Sequence, residues 1–175
     1  MKVLYTWLKD FVDTSATPAE LKDRLSMAGL AVDAVEDSPA GPLLDFDLTT
    51  NRADCLGHYG IAREVAALDR TRPRPPAPKL KEAAASVAEA TRVEIECPDL
   101  CGRFTARVIR GVRVGPSPDW LQQRLLALGH TPINNVVDAS NYVMYELGHP
   151  LHAFDMDTLA EQRIVVRRPR VGETI

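Results

Sequence analysis

The run HTPINNVVDASNYVMYELGHPLHAFD, from His130 to Asp155, decides how this chain reads. Val136, Ser140, Val143 and Leu147 recur at i, i+4, i+7 and i+11, the spacing of one helical face. Gly148 and Pro150 end that helix. Ser140 places a hydroxyl inside the apolar stripe, and Asn141 sets an amide beside it. The tight Gly148-His149-Pro150 turn returns His152 toward the helix C-terminal half. With Val137, Met144, Leu151 and Phe154 as an apolar wall, these residues make a small pocket carrying a few polar groups, the usual form of a small-ligand site. The same spacing also allows a plainer arrangement, with Ser140 bonded back to a helix carbonyl, Asn141 capping a loop and His152 satisfied in the core.

Working outward toward the N-terminus, Ser117-Pro118 reads as a helix start with Pro at the first helical position. Leu121, Leu125 and Leu128 then line one face, and Gly129 stops it. Phe104, Ala106 and Val108 alternate with Arg103, Thr105 and Arg107, a strand signal, and Val93, Ile95 and Cys97 alternate as well. Ile164 to Arg167 reads as a last strand. Residues 71–78, TRPRPPAP, hold four prolines in eight positions. Such a run is extended and semi-rigid, which makes it the best domain boundary in the chain. Lys79 to Glu89 is Ala-rich, a short helix or more linker.

Before the prolines, Leu4, Leu8 and Phe11 suggest a short helix. Thr17-Pro18-Ala19-Glu20 is a capping box opening a second one, with Leu21, Leu25 and Ala28 as its stripe and Gly29 as its stop. Leu30 to Val35 alternates like a strand, Ser38 to Pro42 is a turn, and Leu44, Phe46 and Leu48 alternate again. Asp54 is placed to cap a helix whose buried face is Ile61, Val65 and Leu68. The class is α+β: residues 1–70 form one small α+β unit, 71–90 a linker, and 91–175 a second unit.

Composition excludes several classes. No apolar run approaches the ~20 residues that span a bilayer. The N-terminus lacks a signal peptide's apolar centre, so the expected setting is cytoplasmic, with no membrane partner. A net charge of −3 argues against strong non-specific nucleic-acid binding. Arginines do cluster at Arg103, Arg107, Arg110 and Arg113 and at Arg163, Arg167, Arg168 and Arg170, either as solvated strand faces or as a local phosphate-contacting edge. Three cysteines make no disulfide framework. Cys97 and Cys101 lack the second pair a zinc site needs, and Pro150 spoils the helical presentation of His149, His152 and Asp155, so no metal is expected. Ser140, His152 and Asp138 lack the nucleophile-elbow context of a serine hydrolase. Asn51-Arg52-Ala53-Asp54 reads as an Asx-type turn before a helix.

Longer stretches resemble one family. MKVLYTWLKDFVD, ELKDRLSMAGLAVDAVE and LTTNRADCLGHYGIAREVAAL are similar to successive pieces of the B1 domain of bacterial phenylalanine–tRNA ligase β subunits. The segment from Cys101 to Asp155 is similar to the opening half of that subunit's B3/B4 editing domain. The resemblance implies a role in hydrolysing mischarged Tyr-tRNA(Phe) during translation. It maps the editing pocket onto Ser140 (a Thr in the family pattern), Asn141, Pro150 and His152. It also implies a catalytic α subunit as partner in an α2β2 assembly, and tRNA(Phe). No cofactor is expected in this chain, since no Gly-rich phosphate loop follows a strand. ATP and Mg2+ belong, by the same resemblance, to aminoacylation in the whole enzyme, with no aminoacylation site here. Two departures stand out. The family inserts an oligonucleotide-binding domain within B1, whereas here only seven residues separate Glu36 from Leu44. The acidic residue that reads the tyrosine hydroxyl lies, by resemblance, beyond residue 175. The expectation is an N-terminal part that is inactive in isolation; the alternative is a non-catalytic module that docks on tRNA or on a partner subunit.

Overall fold

The computed structural model describes residues 1–174. Contacts group them into two units: Met1–Pro78 with Val114–Ala153, and Lys79–Arg113 with the residues from Phe154 on.

The first unit carries a three-stranded antiparallel sheet in the order β1 (Lys2–Leu4), β3 (Leu43–Asp47), β2 (Ala31–Glu36). Val3 faces Leu44 across one ladder, and Val35 faces Leu44 across the other. The register slips between Val32 and Ala34, leaving Asp33 with its carbonyl turned out to the Lys22 ammonium at 2.7 Å. The β2–β3 connection is the turn read from the sequence. Gly41 adopts φ +122°, its N–H donates to the Ser38 carbonyl, and the Ser38 hydroxyl donates to the Gly41 carbonyl. A short hairpin therefore stands where the resemblance places an inserted domain.

Helices cover this sheet. α1 (Tyr5–Leu8) is a single turn. α2 (Pro18–Met27) begins with the expected capping box, Thr17 Oγ1 accepting from the Glu20 N–H while Glu20 Oε2 accepts from the Thr17 N–H. Leu21 and Leu25 on its inner face are fully buried, each contributing about 1.5–3 kcal/mol relative to an exposed side chain. α3 (His58–Leu68) buries Ile61, Ala62, Val65 and Ala66, while Leu68 lies at its edge, 36% exposed. Asp54 does not cap it: Gly57 occupies the N-cap position, and Asp54 sits in a 3-10 turn, Ala53–Cys55, bound to Arg52.

α4 (Asp119–Ala127) and α5 (Asn135–Leu147) complete this unit. Leu121 and Leu125 are buried as expected, and Gly129 stops the chain direction at φ +84°. Leu128, Tyr142 and Tyr145 pack on the cluster built by residues 3–66. This apolar seam is why 114–153 group with the N-terminal residues, whereas the division read from the sequence (1–70, 71–90, 91–175) set them with the C-terminal part. Pro118 is the residue before α4 rather than its first, and the Ser117 hydroxyl turns away to α5. The proline run carries no regular secondary structure, and its start is tied down by the Arg74 N–H to the Phe11 carbonyl at 2.7 Å.

The second unit holds one parallel pair, β4 (Arg92–Ile95) with β5 (Arg163–Val166), in register from Arg92↔Arg163 to Ile95↔Val166. Lys79 to Glu89 makes only a 3-10 turn, Val87–Glu89, capped by Ser86. The strand expected across Phe104, Ala106 and Val108 does not form. Alternation supplies a face but not a ladder, and among the described residues no strand lies beside it to accept its hydrogen bonds.

Candidate functional site

α5 carries the residues singled out by the sequence, and polar side chains hold its start. Asn134 is the N-cap, its Oδ1 accepting from Val136 N–H and Val137 N–H at 3.0 Å each. Asn135 ties back to Gly115: its N–H donates to the Gly115 carbonyl at 2.8 Å, and its Oδ1 accepts from the Gly115 N–H. Asp138 is fully buried; its Oδ1 accepts from the Ile133 N–H at 2.8 Å, and its Oδ2 accepts from the Ser117 hydroxyl. A buried carboxylate supplied with two donors is a satisfied one. The adjacent asparagines are thus a cap and a loop tie, and Asp138 joins the Ile133 backbone and the Ser117 hydroxyl to α5.

The stripe Val136, Ser140, Val143 and Leu147 is not the buried face of α5. Asp138 is buried, and Tyr142 and Tyr145 are the residues packed on the core. The inward face is therefore built from aromatic rings and an acid that a hydrophobicity pattern passes over. Ser140, half-buried, donates its hydroxyl to the Val137 carbonyl at 2.7 Å, the back-bonded arrangement. Asn141 is half-buried on the next position of the helix. Gly148 ends the helix with φ +73°, and Pro150 and His152 follow on an exposed segment. The structure thus brings Ser140 and Asn141 together on α5 and places Pro150 and His152 on the chain that leaves it.

Two features of this unit were not read from the sequence. The first is His58, buried at the start of α3. Leu4 N–H donates to its Nε2 at 3.0 Å, so the ring proton sits on Nδ1, which donates to the Tyr145 carbonyl at 2.8 Å. Burial pushes its pKa down to about 3, opposed by the Tyr145 carbonyl and assisted by the Arg124 guanidinium. The second is an aromatic stack with a cation on it. Trp7 stacks on His58 at 4.0 Å and on Tyr142 at 4.4 Å. Arg124 lies 5.1 Å above the Trp7 ring, donates to the Tyr142 hydroxyl at 2.9 Å and pairs with Asp10 at 2.6 Å. The signal for both was the spacing of Trp7, His58, Arg124 and Tyr142 in space, which no local pattern encodes.

Ligand-type atoms within 4.8 Å of one another, among the described residues, belong to Asp54, Cys55 and Glu64. One guanidinium already satisfies all three: Arg52 Nη2 donates to Asp54 at 2.9 Å, to Cys55 Sγ at 3.0 Å and to Glu64 at 2.8 Å. The pair with Arg52 holds Asp54 down at about 2, and burial pushes the Cys55 thiol up to about 11. Asp155, the third member of the His149-His152-Asp155 pattern, caps a turn through Asp157 N–H. The three thiols are free.

Four of the clustered arginines pair with acids: Arg107 with Glu82, Arg163 with Glu94, Arg167 with Glu173, and Arg168 with Asp99; Arg92, outside the clusters, shares Glu94 with Arg163. Exposed pairs of this kind contribute little to stability, and they spend the positive charge a phosphate edge would need.

The B3/4 domain family matches residues 100–175. The chain is 47% identical over 175 residues to a phenylalanine–tRNA ligase β subunit of Rhodopirellula baltica, covering 100% of this chain and 26% of that protein. It is 52% identical over 148 residues to the β subunit of Anaeromyxobacter dehalogenans, covering 81% of this chain and 18% of that protein. It is 53% identical over 131 residues to that of Geobacter metallireducens, covering 75% and 16% respectively. The chain thus spans about a quarter or less of the length of these relatives. No helix is long and apolar enough to cross a membrane. On these matches the chain belongs to the bacterial phenylalanine–tRNA ligase β subunit family.

Proposed function

We propose that this chain is the N-terminal part of a phenylalanine–tRNA ligase β subunit and carries part of the site that hydrolyses Tyr-tRNA(Phe). The observation that carries this reading is the coincidence of the family match over 100–175 with Ser140 and Asn141 side by side on α5, and with Pro150 and His152 on the segment that follows. A phenylalanine pocket cannot reject tyrosine perfectly, and a second hydrolytic sieve can select the extra hydroxyl by bonding it. Hydrolysing an activated ester needs a positioned water and polar groups near the carbonyl. Because the Ser140 hydrogen is committed to the Val137 carbonyl, its oxygen offers lone pairs only. Asn141 offers both donor and acceptor, and His152 serves as a positioner of the substrate's amino or ester end rather than as a general base.

On this reading the partners are tRNA(Phe) and a catalytic α subunit in an α2β2 assembly, which supplies the ATP- and Mg2+-dependent aminoacylation, and the setting is the cytoplasm. The three-part division at 71–90 belongs to the same reading, as a statement about independently folding parts. A second reading, a non-catalytic module docking on tRNA or on a partner subunit, draws on the back-bonded state of Ser140. Deacylation of Tyr-tRNA(Phe) by the full-length β subunit with its α partner, with and without His152→Ala, separates the two. Loss of deacylation with phenylalanylation intact supports editing; an unchanged rate favours docking.

A further inference from the structure

We propose that His58 is a positioning residue for the segment Gly148 to His152, holding the end of α5 from outside the 100–175 family match. The assignment of that segment to a site rests on the editing reading above; the holding itself does not. Two independent contacts point to it. The His58 imidazole bridges β1 and α5, accepting from the Leu4 N–H and donating to the Tyr145 carbonyl, and it is clamped flat by Trp7. Tyr145 lies in the last turn of α5, where carbonyls lack intrahelical partners, so this bond fixes a group that is otherwise loose. One residue earlier, Gly57 meets the end of α5 so closely that a Cβ there would lie 2.4 Å from the Gly148 nitrogen and 2.8 Å from the Leu147 carbonyl carbon. Gly148 in turn would meet the Leu56 carbonyl carbon at 3.0 Å. Backbone thus rests on backbone at the point where the chain turns out toward Pro150 and His152. A displacement of about 1 Å at such a point is enough to cost a large rate factor in a site that works by alignment.

The test uses His58→Phe, which keeps a ring against Trp7 and removes both hydrogen bonds, and His58→Gln, which restores one donor and one acceptor. Backbone amide NMR signals of residues 148–152 are compared with those of wild type and of Thr17→Ala, which weakens the same unit elsewhere. The expected result is displaced 148–152 signals in His58→Phe, largely restored in His58→Gln, and unmoved in Thr17→Ala. Unmoved signals in His58→Phe overturn the proposal. Should His58→Phe not fold, the wild-type protein decides: a Gly57 Hα to Gly148 HN Overhauser contact is expected, and its absence overturns the close approach. In the full-length enzyme, His58→Phe is expected to slow Tyr-tRNA(Phe) deacylation by about tenfold or more, with His58→Gln recovering most of it and phenylalanylation unchanged. Deacylation unaffected by His58→Phe but abolished by His152→Ala overturns the functional part of the proposal. Deacylation unaffected by His152→Ala overturns the editing reading, and the amide signals alone then judge the holding.

Discussion

His58 Nδ1 donates to the Tyr145 carbonyl oxygen at 2.8 Å, joining the first residue of α3 to the last turn of α5. This link makes stability depend on pH in a window set by one residue. The buried imidazole stays neutral down to about pH 3, whereas an unfolded histidine takes a proton near 6.5. Below that value the unfolded state binds more protons than the native one. The stabilisation is therefore complete above about 6.5 and is lost as pH falls, at a limiting ~1.4 kcal/mol per pH unit. Urea unfolding between pH 7 and 5 should show falling stability in the wild type and a flatter profile in His58→Gln. Parallel profiles would contradict the assignment.

Thr17 and Glu20 satisfy each other's backbone donors at the start of α2. Thr17→Ala is expected to cost about 1 kcal/mol, read as a lower denaturation midpoint with an unchanged slope. A neutral substitution would mean that Pro18 and the packing of Leu21 and Leu25 define the helix start by themselves.

Asp138, itself fully buried, receives the Ile133 N–H and the Ser117 hydroxyl. Asp138→Ala leaves the buried Ser117 hydroxyl and the part-buried Ile133 N–H without this acceptor, a loss of about 1–3 kcal/mol. Asp138→Asn keeps an acceptor for Ile133, while Ser117 can accept from the amide, so its loss should be clearly smaller. Equal losses in the two variants would show that the acid acts through charge rather than as a hydrogen-bond acceptor.

Lys79 and Lys81 lie on exposed chain without regular structure, and so do Arg103, Arg107 and Arg110. Limited trypsin digestion should therefore cut in both 79–81 and 103–113 before it cuts within α4 or α5. Early cuts at 79–81 alone, with 103–113 protected, would favour the division into 1–70, 71–90 and 91–175 over the grouping by contact.

Local chemistry was legible in the sequence wherever a short stretch contains its own physical cause. The Thr17–Glu20 box, the Ser38–Gly41 turn, the Leu21/Leu25 and Leu121/Leu125 faces and the Gly148 stop all have that character. What escaped depends on partners far along the chain. Alternation at Phe104, Ala106 and Val108 marks a strand only if another strand accepts it. The apolar stripe of α5 gave the wrong inner face because Tyr142, Tyr145 and Asp138 bury themselves by stacking and hydrogen bonding rather than by hydropathy. His58 passed unremarked because its partners, Leu4 and Tyr145, lie 54 and 87 residues away. Of the candidate site, the membership of Ser140 and Asn141 in one helix was legible, while the bond from Ser140 to Val137 was one of two arrangements the spacing allowed.

The most direct measurement of the account is the rate of Tyr-tRNA(Phe) deacylation by the full-length β subunit with its α partner, set beside the same subunit bearing Asn141→Ala or His152→Ala and beside residues 1–175 alone. The account predicts deacylation by the intact enzyme, a fall of about a hundredfold in each variant with phenylalanylation retained, and little or no activity in 1–175. Intact deacylation in both variants would contradict the placement of the site on α5 and the segment after it, and a rate for 1–175 matching the full-length subunit would contradict its dependence on residues beyond 175.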